Sequence, residues 1–283
     1  MMPSLINAFM VLLLLAQSHP AQAQLQQTHL LQTDQARTED AVLADLFEQA
    51  GVSGTLLITS VRSGRSMVHD ESRAARLFPV ASTFKIFNTL IALEEGVIEH
   101  ADSPIPWDGQ HHEFESWNRD QTLESAFKVS CVWCYQDLAR RIGMEKYSDY
   151  LHKTGYGQLQ QPFKLTEFWL DGSLRISAKD QVEFLRQVVE RRLPFRQSSY
   201  DTLKRVMDSS GEAPGLHAKT GWAIRNSPQI GWYVGYLETS DDVWLFALNM
   251  DIRTPSDLPL RQRLVQDALA RKSLLTQRPS EKK

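Results

Sequence analysis

The stretch PVASTFKIFN, residues 79–88, opens an apolar segment that continues to Glu95. Its large apolar side chains occupy most of the circumference of a helix, a pattern typical of a buried, central helix. The segment stops near Gly96, a residue type that commonly ends helices. Ser82 and Lys85 lie three residues apart in it, and residues at this spacing share one helix face. The stretch therefore predicts a core helix with a hydroxyl and an amine side by side at its start.

Context separates this Ser-x-x-Lys pair from its copies in the chain. Two further pairs have the same spacing: Ser125 with Lys128, and Ser280 with Lys283. The first lies among polar residues of a predicted helix, and the second ends the chain. Ser82 begins a helix, where free N–H groups favour developing negative charge, and Lys85 has apolar neighbours, which depress a lysine pKa. The pair fits acyl transfer, although a capping serine with a snorkelling lysine has the same spacing.

Two other motifs bring further hydroxyl and amine groups. Ser130-Cys131-Val132 places a second serine where another helix begins, and Lys219-Thr220-Gly221 falls on a predicted strand. Gly221 would let a substrate approach the strand edge closely. A second Lys-Thr-Gly at 153–155 ends a predicted helix, and its glycine is explained as a C-cap. We therefore assign Lys219, rather than the lysine of the second copy, to the candidate site.

Strand-like segments lie near both ends of the chain, and helical segments lie between and outside them. The predicted strands are 54–60, 66–70, 217–222, 229–239 and 243–252. The predicted helices, besides the one at Ser82, are 39–50, 122–129, 135–142, 145–153, 178–192 and 258–275. This order predicts an α/β fold of the α+β type. One antiparallel sheet, built from both ends and flanked by the terminal helices, would carry an inserted helical subdomain at about 87–195.

The first residues resemble an export signal. Residues 1–23 carry no charged side chain, 8–16 are apolar, and 21–23 have the small-x-small form of a cleavage site. This predicts a signal peptide at 1–23, a mature domain at 24–283 and a periplasmic location. An uncleaved membrane anchor is the alternative, but the apolar core is shorter than the roughly 20 residues that span a bilayer. We therefore expect no stable membrane anchor.

Composition excludes several classes of partner. The formal net charge is −3 without a long basic block, which argues against nucleic acid. Cys131 and Cys134 are the only cysteines, and one C-x-x-C cannot complete a four-ligand zinc site. The two can form a disulfide in an exported protein or remain buried thiols. The neighbours His111, His112 and Glu113 do not face one another on a helix or strand, so we predict a solvated loop and no metal.

The order Ser-x-x-Lys, Ser-x-Val, Lys-Thr-Gly resembles that of the class D (oxacillinase-type) serine β-lactamases of the penicillin-binding-protein superfamily. The resemblance runs from about 54 to 263 and includes 79–88, 117–130, 135–143, 168–170, 174–177, 249–251 and 258–261. Class A enzymes have Ser-Asp-Asn where this chain has Ser130-Cys131-Val132. Gln158 departs from the family's usual Tyr-Gly-Asn, and Cys134 stands where an apolar residue, often valine, is usual.

The resemblance implies a hydrolase that opens the β-lactam amide bond of penicillins, oxacillin-type substrates included, and so gives antibiotic resistance. Ser82 would be the nucleophile and an N6-carboxylated Lys85 the general base, with CO2 or bicarbonate required and no other cofactor. Ser130, helped by Lys219, would pass a proton to the leaving nitrogen. Trp169 would hold the carbamate through its indole N–H, although without the resemblance we would predict a core aromatic.

The resemblance also implies the substrate contacts. Lys219, Thr220 and Arg261 would hold the substrate carboxylate, and the backbone N–H groups of Ser82 and Trp222 would form an oxyanion hole beside Gly221. The apolar walls would be Val132 and Leu170, with Ile224 as a cover. Two other activities fit the same motifs: a β-lactam sensor domain that is acylated without turnover, and a peptidoglycan DD-peptidase. We expect a monomer or a homodimer.

Overall fold

The structure is a computed structural model that describes residues 39–275. The predicted signal peptide at 1–23 lies outside these residues. Among the helices of the described part, none combines the length and apolar character needed to span a membrane. The predicted division into a signal peptide, a mature domain and a helical subdomain at about 87–195 stays a prediction.

The described chain alternates short strands with helices of moderate length. The strands are β1 (Gly54–Ser60), β2 (Ser66–His69), β3 (Phe78–Pro79), β4 (Pro104–Ile105), β5 (Gln121–Thr122), β6 (Gln158–Leu159), β7 (Leu174–Ile176), β8 (Leu216–Ala223), β9 (Gln229–Glu238) and β10 (Val243–Ile252). The helices are α1 (Ala41–Ala50), α2 (Glu71–Ala74), α3 (Lys85–Glu94), α4 (Leu123–Lys128), α5 (Val132–Ile142), α6 (Met144–Thr154), α7 (Ala178–Val189), α8 (Gln197–Met207) and α9 (Leu260–Arg271).

A five-stranded antiparallel sheet has the order β2-β1-β10-β9-β8, so both ends of the chain build it, as predicted. Successive side chains of a strand point to opposite faces. Leu57 packs into the core shared with the inserted helices, whereas Leu56 and Ile58 pack under α1 and α9. Because both faces are covered, β1 is buried along its whole length, with an apolar run from Leu56 to Ile58 at its centre. The predicted α+β fold class is confirmed.

The inserted region packs around α3, whose residues are buried from Lys85 to Leu93. This burial confirms the central helix that the apolar pattern predicts. Its start differs from the prediction, because Ala81–Phe84 form a 3₁₀ turn and the α-helix begins at Lys85. Ser82 therefore lies in a tight turn and not at the helix cap. Strand β8 is the edge of the sheet, and its outer side faces this turn.

Several helical assignments differ from the structure. Helix α9, predicted over 258–275, spans Leu260–Arg271 because Ser273 adopts a left-handed conformation with φ 56°. Helix α7 ends at Val189 rather than at 192, because Arg191 adopts a left-handed conformation with φ 54°. The sequence pattern does not predict helix α8. Pro194 precedes it, and polar residues surround the apolar positions Tyr200 and Leu203, so no clear helical periodicity is visible. Packing against α3 and α4 supplies the stabilisation that the local sequence of α8 lacks.

Candidate active site

Ser82 is held at the bottom of a cleft by the turn that carries it. Ala81, the residue before it, has φ 49°, a conformation that costs a non-glycine residue about 1–2 kcal/mol. Thr83, the residue after it, is fully buried and accepts a hydrogen bond from Gln181 Nε2 at 2.8 Å. The buried neighbours fix the backbone on both sides, so the half-buried Ser82 side chain points into the cleft.

Lys85 lies beneath Ser82 and is fully buried. Its Nζ atom donates to Ser82 Oγ at 3.1 Å and lies 5.0 Å from the centre of the Tyr135 ring. Burial holds the pKa of Lys85 well below its usual range, and the charge of Lys219 lowers it further. Both effects favour the neutral form of this amine, which is in contact with a serine hydroxyl. The pair therefore has the geometry and the electrostatics of an activated nucleophile.

Ser130 reaches the same cleft from the junction between α4 and α5. It follows the C-cap of α4 with φ 58°, and its N–H donates to Phe127 O at 3.1 Å. The N–H of Cys131 donates to Ala126 O at 2.9 Å. These two bonds form a Schellman motif, in which the left-handed position is usually glycine. The serine thus occupies a strained position, a feature that clusters at functional sites.

Lys219 lies on β8 and is almost completely buried. Its Nζ atom donates to Thr220 O at 3.0 Å and lies 5.4 Å from the centre of the Phe127 ring. Burial lowers the pKa of Lys219 to about 7, and the positive charge of Arg261 contributes. This lysine therefore changes its charge near neutral pH.

Gly221 lets the edge strand lie directly against the nucleophile turn. A Cβ at this position would stand 3.3 Å from the backbone nitrogen of Thr83 and 3.1 Å from its side-chain methyl. The carbonyl of Gly221 accepts from Arg261 Nη1 at 2.7 Å, and Arg261 Nε donates to Leu258 O at 2.7 Å. These bonds place the guanidinium in the wall of the cleft. Burial lowers the pKa of Arg261 to about 10, so it is charged at neutral pH.

The cleft has a volume of about 410 Å³. It is lined by Ser82, Glu113, Phe114, Ser116, Trp117, Val129, Ser130, Val132, Leu170, Thr220, Gly221, Trp222, Ile224, Arg225 and Arg261. Phe114 and Ile224 are exposed large apolar residues at 42% and 48%, so they can contact a ligand. Lys85, Lys219 and Trp169 do not line it and are buried in its walls.

Trp169 has an unpaired polar atom beside the nucleophile turn. Its ring is fully buried and stacks on Phe84 with 5.8 Å between centroids. Its Nε1 atom has no hydrogen-bond partner among the described residues. A buried indole N–H without an acceptor is costly, and such an atom calls for an explanation such as an additional group.

The described copies of the motifs lie apart from this cluster, and the pair Ser280 and Lys283 lies outside the described residues. Lys128 is exposed at the surface and donates to Glu124 Oε1 at 2.7 Å, as expected for a solvated face. Gly155 ends α6 with φ 63°, as expected for a C-cap. His112 stacks on Trp133 with 5.7 Å between centroids, and no group of metal-ligating side chains occurs in the described part of the chain. Gln158 is exposed on β6, opposite Arg175 of β7.

Comparison with known proteins gives the family. The family model of the penicillin binding protein transpeptidase domain matches residues 54–270. The β-lactamase OXA-48 of Klebsiella pneumoniae is 38% identical over 81% of this chain and 87% of that protein. A class D β-lactamase structure from Nostoc is 40% identical, with a TM-score of 0.79 over 82% of this chain and 99% of that one.

The chain belongs to the class D serine β-lactamase family. The class D β-lactamase FUS-1 (OXA-85) of Fusobacterium nucleatum agrees, being 35% identical with a TM-score of 0.81 over 84% of this chain and 100% of that one. The membership in class D that the three motifs indicate is confirmed. The prediction that the protein is a serine β-lactamase of this class is also confirmed.

Arg225 and Glu113 are among the cleft residues of this class D enzyme that the sequence does not assign to the site. Arg225 lies in the turn after β8, and its Nη1 atom donates to Glu167 Oε2 at 2.7 Å. This ion pair links the turn to the segment that carries Trp169. The sequence predicts only a solvated loop at Glu113, whereas the structure places this residue on the cleft wall. Neither residue belongs to a motif, and only the folding of distant loops brings them to the site.

Proposed function

We propose that the enzyme hydrolyses the β-lactam amide bond of penicillins through an acyl-enzyme on Ser82, and so gives resistance to these antibiotics. The observation that carries the proposal is the contact between Ser82 Oγ and Lys85 Nζ, 3.1 Å apart. The serine opens to the cleft, whereas the lysine is completely buried and has a strongly lowered pKa. Such a serine can lose its proton to a neighbouring base while it attacks a carbonyl carbon.

Acylation then requires one bond to form and one to break. Ser82 Oγ would bond to the carbonyl carbon, and the carbon–nitrogen bond of the four-membered ring would break. Ser130, whose hydroxyl faces the same cleft, would give its proton to the leaving nitrogen and be reprotonated through Lys219. The backbone N–H groups of Ser82 and Trp222 would hold the oxyanion, an interaction often worth about 3 kcal/mol per donor.

The surroundings of Lys85 fit carboxylation by CO2. Burial desolvates the amine and favours its neutral form, which nucleophilic attack on CO2 requires. The unpaired Nε1–H of Trp169 is a buried donor in need of an acceptor. A carbamate on Lys85 would supply a base that takes the Ser82 proton and activates water for deacylation. Val132 and Leu170, two half-buried apolar residues of the cleft wall, would limit the entry of water.

The substrate carboxylate would lie between β8 and α9. Arg261 and Thr220 line this side of the cleft, and Lys219, buried in its wall, adds a positive charge below about pH 7. The binding energy would come from these charge-assisted hydrogen bonds. We further propose that residues 1–23 direct export to the periplasm, where penicillins are met. A monomer or a homodimer stays our expectation.

Steady-state kinetics separate this function from the sensor alternative. Mixing the enzyme with an excess of a chromogenic penicillin should give continuous hydrolysis over many turnovers. A single burst equal to the enzyme concentration, without further hydrolysis, would instead indicate a sensor domain. Hydrolysis of a peptide ending in D-alanyl-D-alanine without hydrolysis of the penicillin would indicate the DD-peptidase.

The pKa of Lys219 predicts a pH dependence of substrate capture. Below about 7 the free enzyme carries a charged Lys219, and above it the charge is lost. We therefore expect kcat/KM for a penicillin to decrease as the pH rises, with an apparent pKa near 7. The methyl ester of the same penicillin lacks the carboxylate and should show a shallower decrease, because Lys219 then acts only through the proton relay to Ser130. A flat profile for the free acid between about pH 6 and 9 would contradict the role of Lys219.

A further inference from the structure

A disulfide fixes the backbone on the C-terminal side of Ser130. Cys131 is the N-cap of α5, and its Sγ atom is bonded to that of Cys134 in the first turn of the same helix. The N–H of Cys134 also donates to Cys131 Sγ at 3.2 Å. The residue that follows Ser130 is therefore joined to α5 by one hydrogen bond and a disulfide.

Two tryptophans hold the residue on the other side of Ser130. Trp117 Nε1 donates to Val129 O at 2.9 Å, and Trp133 Nε1 donates to Trp117 O at 3.0 Å. Ser130 thus lies between Val129, whose carbonyl is held by the Trp117 indole, and Cys131, which is held by the disulfide. Its left-handed conformation, φ 58°, is one that a serine leaves readily unless its neighbours prevent it.

The disulfide closes a very small loop within one helical turn. The two cysteines are three residues apart in sequence, and both are fully buried. The loss of chain entropy on which a disulfide's stabilisation depends is smallest for such short loops. The bond therefore adds little by restricting the unfolded chain. Its main effect falls on its neighbours in the cleft: Ser130, which carries the hydroxyl, and Val132, an apolar residue of the first turn of α5.

We infer that the Cys131–Cys134 disulfide is a positioning element that keeps the Ser130 hydroxyl aimed at the leaving nitrogen. This inference rests on the proposed function. Ser130 takes part in acylation, whereas deacylation uses the buried groups around Lys85. Loss of the disulfide should therefore slow acylation and leave deacylation unchanged, a separation that a general loss of stability would not produce.

The test is the Cys134→Val enzyme, because valine keeps an apolar side chain of similar size at this buried position. Stopped-flow single-turnover kinetics with a penicillin would give the acylation and deacylation rate constants. We expect acylation to fall about tenfold, since small misplacements of catalytic groups have large effects, and deacylation to stay within about twofold. The Cys131→Ala/Cys134→Val double variant should behave in the same way, which excludes an effect of a free thiol.

Val265→Ala is the matched control for stability. Val265 is fully buried on α9 in the core away from Ser130, so its truncation lowers the melting temperature without touching the cleft. It should leave both rate constants unchanged. If the Cys134→Val enzyme acylates at the wild-type rate, or loses acylation and deacylation equally, the inference is wrong.

A second measurement covers failure of the variants to fold. Wild-type protein is unfolded in the presence of a dithiol. The dithiol reduces the protein disulfide to two cysteine thiols and is itself oxidised to a cyclic disulfide. The reduced protein is refolded, and half is re-oxidised with oxidised glutathione. Slow acylation in the reduced half and recovery in the other would support the inference; equal rates in both would overturn it. A wild-type enzyme that forms no acyl-enzyme at all would instead refute the proposed function.

Discussion

Replacing Lys85 with alanine should lower kcat for a penicillin by at least about 10³-fold, since a positioned base contributes about 10²–10⁴ and both acylation and deacylation use this one. The Ser82 hydroxyl would lose its hydrogen-bond partner at 3.1 Å, and no other base lies within hydrogen-bond distance of it in the described structure. The measurement is steady-state hydrolysis under bicarbonate-saturated conditions. The substrate affinity should change far less than kcat, because Lys85 does not line the cleft.

Lys128→Ala is the control with the same Ser-x-x-Lys spacing. Lys128 is exposed and pairs with Glu124 on the surface of α4, an interaction worth about 0.3–0.5 kcal/mol. Its replacement should leave kcat and KM unchanged. Comparable losses of activity in the two variants, or retained activity in Lys85→Ala, would contradict the assignment of the base. Depletion and restoration of CO2 adds an independent test, since reversible loss of activity is expected only if Lys85 is carboxylated.

Replacing Ser130 with glycine should stabilise the protein and nearly abolish acylation. The left-handed conformation costs a serine about 1–2 kcal/mol and a glycine nothing, and the greater freedom of unfolded glycine offsets part of this gain. We expect a net stabilisation of about 1 kcal/mol and a fall in the acylation rate of about 10²–10⁴-fold, as for loss of a general acid. Chemical denaturation and single-turnover kinetics would measure the two effects.

Ser273 offers a matched control in the same motif. It follows α9 with φ 56°, its N–H donates to Ala270 O, and the next residue donates to Leu269 O. Ser273→Gly should therefore give a similar stabilisation without any change in rate. If Ser130→Gly is destabilising while Ser273→Gly is stabilising, Ser130 is not strained in the way its backbone angle implies.

The regular elements of this fold could be predicted closely from the sequence. Strands β1 and β10 begin and end where the apolar runs predict, because each is buried on both faces and bounded by polar turns. Residues 240–242 form the expected turn between β9 and β10. Helix α8 could not be predicted in this way, since much of its stability comes from α3 and α4 rather than from its own sequence.

The motifs predict which residues approach one another but not how their backbone is held. The spacing of Ser82 and Lys85 predicts a shared helix face, whereas the structure joins them across a 3₁₀ turn after a left-handed Ala81. The strain at Ser130 depends on hydrogen bonds to α4. The unpaired Trp169 indole and the pKa of Lys219 near 7 arise from burial between distant segments. Such features require the folded structure.

The most direct test of the central claim is to locate the covalent adduct on Ser82. Enzyme is mixed with excess penicillin, quenched in acid during turnover, digested and analysed by peptide mass spectrometry. We expect at most one intact penicilloyl group per chain, always attached to Ser82, and none in the Ser82→Ala variant. Continued hydrolysis by the Ser82→Ala enzyme, or an adduct on another residue of the active wild-type enzyme, would contradict it.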